Sequence, residues 1–274
     1  MKKLIHSIIL VCGLVTLFSG CRPETIELGP ALGKTALQFT VAPSANNPND
    51  IVLKSLTPNA TPYWVSPSGY SIKLTDTVNI PFPGTYTIEY AVQSPGGLVY
   101  ADPVTVTINS IDEKTVSDPM WVQLTGGLGK SKTWVLDLDA AGVSKYFAGP
   151  FYFGGSWGQW DPAFKDIPWA GVSAGDYGTM TFDLIGNANF SSNNKMFPEL
   201  SGTGKFMLYS ATKELQTLGA QLLHDRAQGD KIANWNAKMK IKALDDDHLQ
   251  VIALIDASNW LLYNYVSKEY YDTH

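Results

Sequence analysis

From Ala36 to Ser110 apolar and polar residues alternate in short runs, each closed by turn residues. ALQFTVA alternates, ANNPND is a turn cluster, and IVLKS follows. PNATP leads into YWVS, PSGY turns into SIKLTD, and TVNIPFPG closes on Pro-Gly. TYTIEYAVQ (residues 85–93) is the clearest period-two run in the chain, and SPGG after it reads as a hairpin turn into LVYADPVTVTI. About seven short strands at roughly 8–12-residue spacing predict an immunoglobulin-like sandwich over residues 36–110.

Residues 111–119 are polar and predict a linker. From Met120 the pattern changes. MWVQLT reads as a strand-like piece, GGLGK as a glycine loop and KTWVLDLD as a strand. TMTFDLIG, NANFSSNN, GTGKFMLYSAT, QTLGAQLLHD, WNAKMKIKAL, HLQVIALID and WLLYNYVS each read as a further strand. TKELQTLGAQLL also fits a short helix, with Leu215, Leu218 and Leu222 on one face, but Gly219 favours a strand. Strands joined by short turns predict that residues 120–274 form a larger antiparallel β-sandwich, jelly-roll or barrel-like. The whole fold is expected to be all-β.

One stretch breaks the period. Tyr146 to Tyr177 holds ten Phe, Trp or Tyr in 32 residues, against 12% aromatics for the chain. Loops this long in a compact domain are functional or disordered, and ten aromatics argue against disorder. The rings either plug the loop onto a core or offer flat faces to a ligand. A sugar ring has an apolar C–H face that stacks on an indole, while carboxylates and amides bond its hydroxyls. Trp157, Trp160 and Trp169 are therefore the candidate stacking residues, with Asp161, Asp166 and Asp176 as hydroxyl partners. Alternation in FYF puts Tyr152 on the face opposite Phe151 and Phe153, which is the solvent face or the binding face. A second polar loop, HDRAQGDKIANW, adds Asn234 and Trp235.

The amino terminus changes the setting. MKK, an apolar run from Leu4 to Phe18, and Ser19-Gly20-Cys21 form an export signal over residues 1–20. Small residues directly before Cys21 resemble the lipobox of bacterial lipoproteins. That resemblance implies that Cys21 carries the lipid; residues 21–35, with no period and two prolines, read as a tether. The only other cysteine, Cys12, leaves with the signal, so no disulfide framework and no cysteine-based site remain. Loss of Lys2 and Lys3 leaves 18 basic against 25 acidic residues, a net charge of −7. No basic patch suggests nucleic acid.

Catalytic and metal patterns are weak. Asp137, Asp139 and Gly142 make D-x-D-x-x-G without the remaining ligands of a calcium loop, and read as a strand-ending turn. Asp245-Asp246-Asp247-His248 reads as a hairpin turn. Glu199, Glu214 and Glu269 are isolated, and no E-x-D-x-x-E, G-x-S-x-G or H-E-x-x-H occurs. No cofactor is expected, and a non-catalytic protein is favoured. The alternatives are a glycoside hydrolase or lyase with an unfamiliar carboxylate pair, and a structural or adhesion lipoprotein with buried aromatics.

Two resemblances sharpen this reading. PGTYTIEYAVQSPGG is similar to the most characteristic stretch of PKD-type domains. The likeness implies that Tyr86 makes a tyrosine corner and that Trp64 is the inter-sheet core tryptophan. Val-Ser-Pro-Ser-Gly after Trp64 departs from the W-x-F-G-D-G motif of such domains. Lipobox, PKD-like module and aromatic-rich β domain together resemble the glycan-binding lipoproteins of Bacteroidota polysaccharide-utilisation systems. For residues 120–270 the likeness rests on LTGGLGKSKTWVLDLDAAG, GDYGTMTFDLIGNANF and LLYNYVSKEY. It implies an outer-membrane, lipid-anchored protein at the cell surface that holds a polysaccharide or oligosaccharide for a neighbouring transporter. Arg22-Pro23-Glu24 is a poor version of the acidic run that marks surface export in this class.

Overall fold

The computed structural model describes residues 29, 30, 32–156 and 158–274. The signal segment, Cys21 and Trp157 lie outside the described residues. The fold is all-β and its strand pairings are antiparallel. Two compact units form: one holds the chain through Val41, Val52–Asp76 and Thr87–Val104, the other Ala42–Ile51, Thr77–Tyr86 and Thr105–His274.

The first eight strands are β1 (Phe39–Pro43), β2 (Asp50–Ser55), β3 (Thr61–Ser66), β4 (Gly69–Ser71), β5 (Thr75–Asn79), β6 (Gly84–Ser94), β7 (Gly97–Tyr100) and β8 (Val104–Ile108). They make a sheet β1-β2-β5 and a sheet β4-β3-β6-β7, with β8 also on β6. In the first unit, alternation along β6 turns Ile88, Tyr90 and Val92 inward and Glu89 and Gln93 outward. Trp64 is fully buried, 4.4 Å from the Tyr90 ring, and Phe39 stacks on Tyr90. Their polar atoms are satisfied: the Trp64 Nε1–H donates to the Lys73 carbonyl at 3.1 Å, and the Tyr90 hydroxyl bonds Ser55 and Thr57.

In the second unit the Tyr86 hydroxyl donates to the Phe82 carbonyl at 3.0 Å. Two short helices follow, α1 (Glu113–Val116) and α2 (Pro119–Thr125). MWVQLT is thus helix and not strand. Asp118 accepts the Met120 amide at 2.9 Å as N-cap, Pro119 opens the helix, and Gly126 closes it at φ 82°. Trp121 and Leu124, three residues apart, bury the same face.

Ten strands complete the chain. They are β9 (Ser131–Leu136), β10 (Phe151–Gly155), β11 (Gly158–Trp160), β12 (Gly178–Asp183), β13 (Asn189–Asn194), β14 (Gly202–Tyr209), β15 (Glu214–Leu218), β16 (Met239–Leu244), β17 (His248–Leu254) and β18 (Asn259–Ser267). β9 and β12 to β18 pair in sequence, and β18 returns to β9 through Tyr265↔Leu136, Val266↔Val135 and Ser267↔Trp134. The result is a closed eight-stranded meander barrel rather than a jelly roll. The first half of β18 carries β10 instead, from Phe151↔Tyr263 to Gly155↔Asn259. Eight strands leave an interior that side chains just fill. Trp134, Phe182, Phe190, Phe206, Leu215 and Tyr263 belong to that core.

The segment after β15 holds α3 (Arg226–Gly229), and α4 (Lys268–Thr273) follows β18. The first of these segments is tied to the barrel by buried bonds. Asn194 Nδ2 donates to the His224 carbonyl, Tyr265 to the Leu223 carbonyl, and Tyr263 to the Asp225 carboxylate. Among the described residues no helix is long and apolar enough to cross a membrane.

Candidate aromatic binding site

The aromatic stretch enters from β9 through a tight turn. The Asp139 carboxylate accepts the amides of Ala141 and Val143, each at 2.9 Å, and Gly142 takes φ 79°. Asp137 is fully buried, and its carboxylate accepts the amides of Lys145, Tyr146 and Phe147 at 2.6–3.2 Å. Burial pushes its pKa up, and those amide bonds pull the other way. Asn264, also fully buried, donates to the Gly149 carbonyl at 2.7 Å and receives the Gln250 amide. These two polar residues fix where the loop leaves and rejoins the barrel. The signal in the sequence was one Asn inside the apolar run WLLYNYVS.

β10 then lies along β18, and β11 folds back on it with Phe153↔Trp160 and Gly155↔Gly158 in register. Gly154 is required: a Cβ there would enter the Trp260 ring. The next fixed point is a turn of 3-10 helix at Pro168–Ala170. Ile167 and Ala170 are buried at its ends, and Gln228 holds the Ala170 carbonyl at 2.5 Å. Trp169 between them is turned outward.

Phe153, Trp160 and Trp169 meet on the surface. Ring centroids lie 5.7 Å apart for Phe153–Trp160, 5.2 Å for Phe153–Trp169 and 6.0 Å for Trp160–Trp169. Phe153 is 8% exposed, whereas Trp160 and Trp169 are 47% and 62% exposed. Together with Gly158 and Gln159 they line a cleft of about 230 Å³.

Among the described residues, the other candidates do not line this cleft. Asp161 accepts a hydrogen bond from Nε2 of Gln159, one of the lining residues, at 2.6 Å. Asp166 is exposed in a turn of 3-10 helix, Phe164–Asp166. Asp176 is ion-paired with Lys195 at 2.6 Å beside a separate cavity with Tyr271, and that partner lowers its pKa. Tyr152 is 9% exposed and accepts the Ala148 amide at 3.3 Å; burial raises its pKa. Trp235 is buried, stacked on His224 at 4.3 Å, with its Nε1–H on the Gly229 carbonyl. Asn234 lines a cavity of about 310 Å³ with Ala237, Lys238 and Leu254. Asp245 accepts the amides of Asp247 and His248 and so forms the β16–β17 turn.

A cavity of about 670 Å³ lies beside α4. In its lining, Lys132 donates to the Asp246 carbonyl and to that of Gln123 outside it, and Ser267 donates to the Asp247 carboxylate. In the Phe153–Trp160–Trp169 cleft the two indoles instead remain exposed. Fold and site together define an eight-stranded meander barrel that carries an aromatic cleft on a strand pair outside the barrel ring. No family model matches the chain, and no curated protein matches it.

Proposed function

We propose that the protein is a lipid-anchored envelope protein that binds polysaccharide or oligosaccharide and performs no chemistry on it. The observation that carries this reading is the pair of exposed, near-parallel indoles over a small cleft floored by Phe153. Ring stacking of this kind, judged by base–aromatic contacts, is worth about 1–3 kcal/mol per ring. The cleft is smaller than the roughly 300 Å³ of ordinary ligand pockets, which suits a carbohydrate ring lying on a surface. The lipobox-like Ser19-Gly20-Cys21 supports the lipid anchor. A buried Trp64 and the Tyr86–Phe82 bond support an immunoglobulin- or PKD-like sandwich that acts as a spacer near residues 36–110. A transporter that takes up the captured glycan is the partner this reading implies.

Isothermal calorimetry of the detergent-solubilised full chain against a polysaccharide panel tests the reading. At least one glycan is expected to bind, and binding should disappear in the Trp160→Ala, Trp169→Ala double variant. A chain that binds no glycan, or binds equally after both substitutions, overturns it.

A further inference from the structure

We infer that the cleft takes one uncharged sugar ring at a time, and takes it by one face. This inference rests on the glycan-binding reading above. Two aromatic planes that hold a ring between them need two van der Waals contacts of about 3.5–4.0 Å each. The Trp160 and Trp169 centroids are only 6.0 Å apart and their planes 11° from parallel. No ring fits between them, so the ligand lies against the outer aromatic faces. A cleft of about 230 Å³ with five lining residues has room for a single such unit.

Charge narrows the class. None of the five lining residues is charged. From Phe151 to Gly171 the charged residues are Asp161, Lys165 and Asp166. The β17–β18 turn, joined to Gly155 through Asn259, adds Asp256, held ionised by amide bonds from Ser258 and Asn259. The α3 segment against Ala170 adds Arg226, paired with Glu199 and Asp230, and Lys231, bonded to Gln228. Five carboxylates against three cations leave these neighbours at −2. A uronate or sulfated ring would bring its charge to a cleft with no cation among the described residues of its wall. Unit charges close to a surface site shift such binding by about threefold to tenfold at low salt, and less at high salt.

Calorimetry at low ionic strength with the full chain tests this. The probes are a neutral oligosaccharide series of the bound glycan, from disaccharide to hexasaccharide, and a uronic-acid polysaccharide compared with its carboxyl-reduced form. Affinity is expected to change by less than about threefold along the series, and the carboxyl-reduced polymer should bind about threefold to tenfold more tightly. In Asp161→Asn, Asp166→Asn, Asp256→Asn that preference should shrink. An affinity that climbs more than tenfold with chain length, equal or tighter binding of the uronate, or an unchanged preference in the triple variant overturns the inference. If binding then still depends on Trp160 and Trp169, glycan binding itself stands. If no glycan binds, both readings fall together.

Discussion

The Trp160 and Trp169 indoles lie 6.0 Å apart, 11° from parallel, though one comes from a hairpin strand and the other from a turn of 3-10 helix. Phe153 touches both. The pair is held by the Phe153↔Trp160 register and by the burial of Ile167 and Ala170 on either side of Trp169. An aromatic surface fixed in this way needs little ordering when a ligand arrives.

Acrylamide quenching distinguishes these indoles from core tryptophans. Trp64, Trp121, Trp134 and Trp235 are at most 5% exposed. Trp260 is half-buried, so the Trp160→Ala, Trp169→Ala variant should lose a clear part of the quencher-accessible emission at nearly unchanged thermal midpoint. Each substitution alone should weaken glycan binding by roughly 1–3 kcal/mol, taking base–aromatic stacking as the scale.

Gly154→Ala should damage the site from beneath. Its Cβ would enter the Trp260 ring, so that indole or the strands that carry the two residues must shift. Overpacking of this kind costs about 1–3 kcal/mol. Gly33→Ala is the control: φ is −71° and the nearest atom lies 3.7 Å away, so little change is expected. Denaturant midpoints of the two variants check both statements.

Asp225 and Tyr263 provide a test of buried polar satisfaction. Asp225 caps α3 through the Gln228 amide at 2.7 Å and accepts the Tyr263 hydroxyl at 3.1 Å. Asp225→Ala removes the cap, about 1 kcal/mol, and strands a buried hydroxyl, about 1–3 kcal/mol more. Tyr263→Phe removes the hydroxyl, leaves the cap in place and should cost less. Chemical denaturation of both variants gives the order; a larger loss for Tyr263→Phe would contradict it.

His224 sets part of the acid limit. Burial lowers its pKa from the ordinary 6.5, despite the bond from its ring to the Asp225 carbonyl. The unfolded chain therefore takes the proton first as pH falls. Stability from the neutral ring is full above pH 6.5 and declines below it toward the depressed folded value. NMR should show a titration midpoint below 6.5 for this imidazole, and His224→Gln should flatten the loss of stability over that window. Asp225 acts with the opposite slope in its own range: burial raises its pKa from 3.8, so its contribution falls as pH climbs from there to the raised value.

Period-two runs and turn residues made most of the strands readable. TYTIEYAVQ lies within β6, WLLYNYVS within β18, and the Asp139 and Asp245 turns close where their side chains can accept backbone amides. Those are local effects, settled by alternation and by bonds within a few residues. The Asp118-Pro119 start and Gly126 stop of α2 were equally local, but the apolar content of MWVQLT outweighed them as a strand signal.

Barrel closure was not local. It requires Tyr265 to meet Leu136 across 129 residues of chain, and one meander pattern serves an open sandwich and a closed barrel alike. The fate of each tryptophan was also tertiary. Trp235 and Trp169 both stand in polar, glycine-bearing loops, yet one stacks under the chain on His224 and the other faces water. A loop sequence fixes which rings are available. Only the packing of its flanks, here Ile167 and Ala170 turned inward against Gln228, decides which of them are left for a ligand.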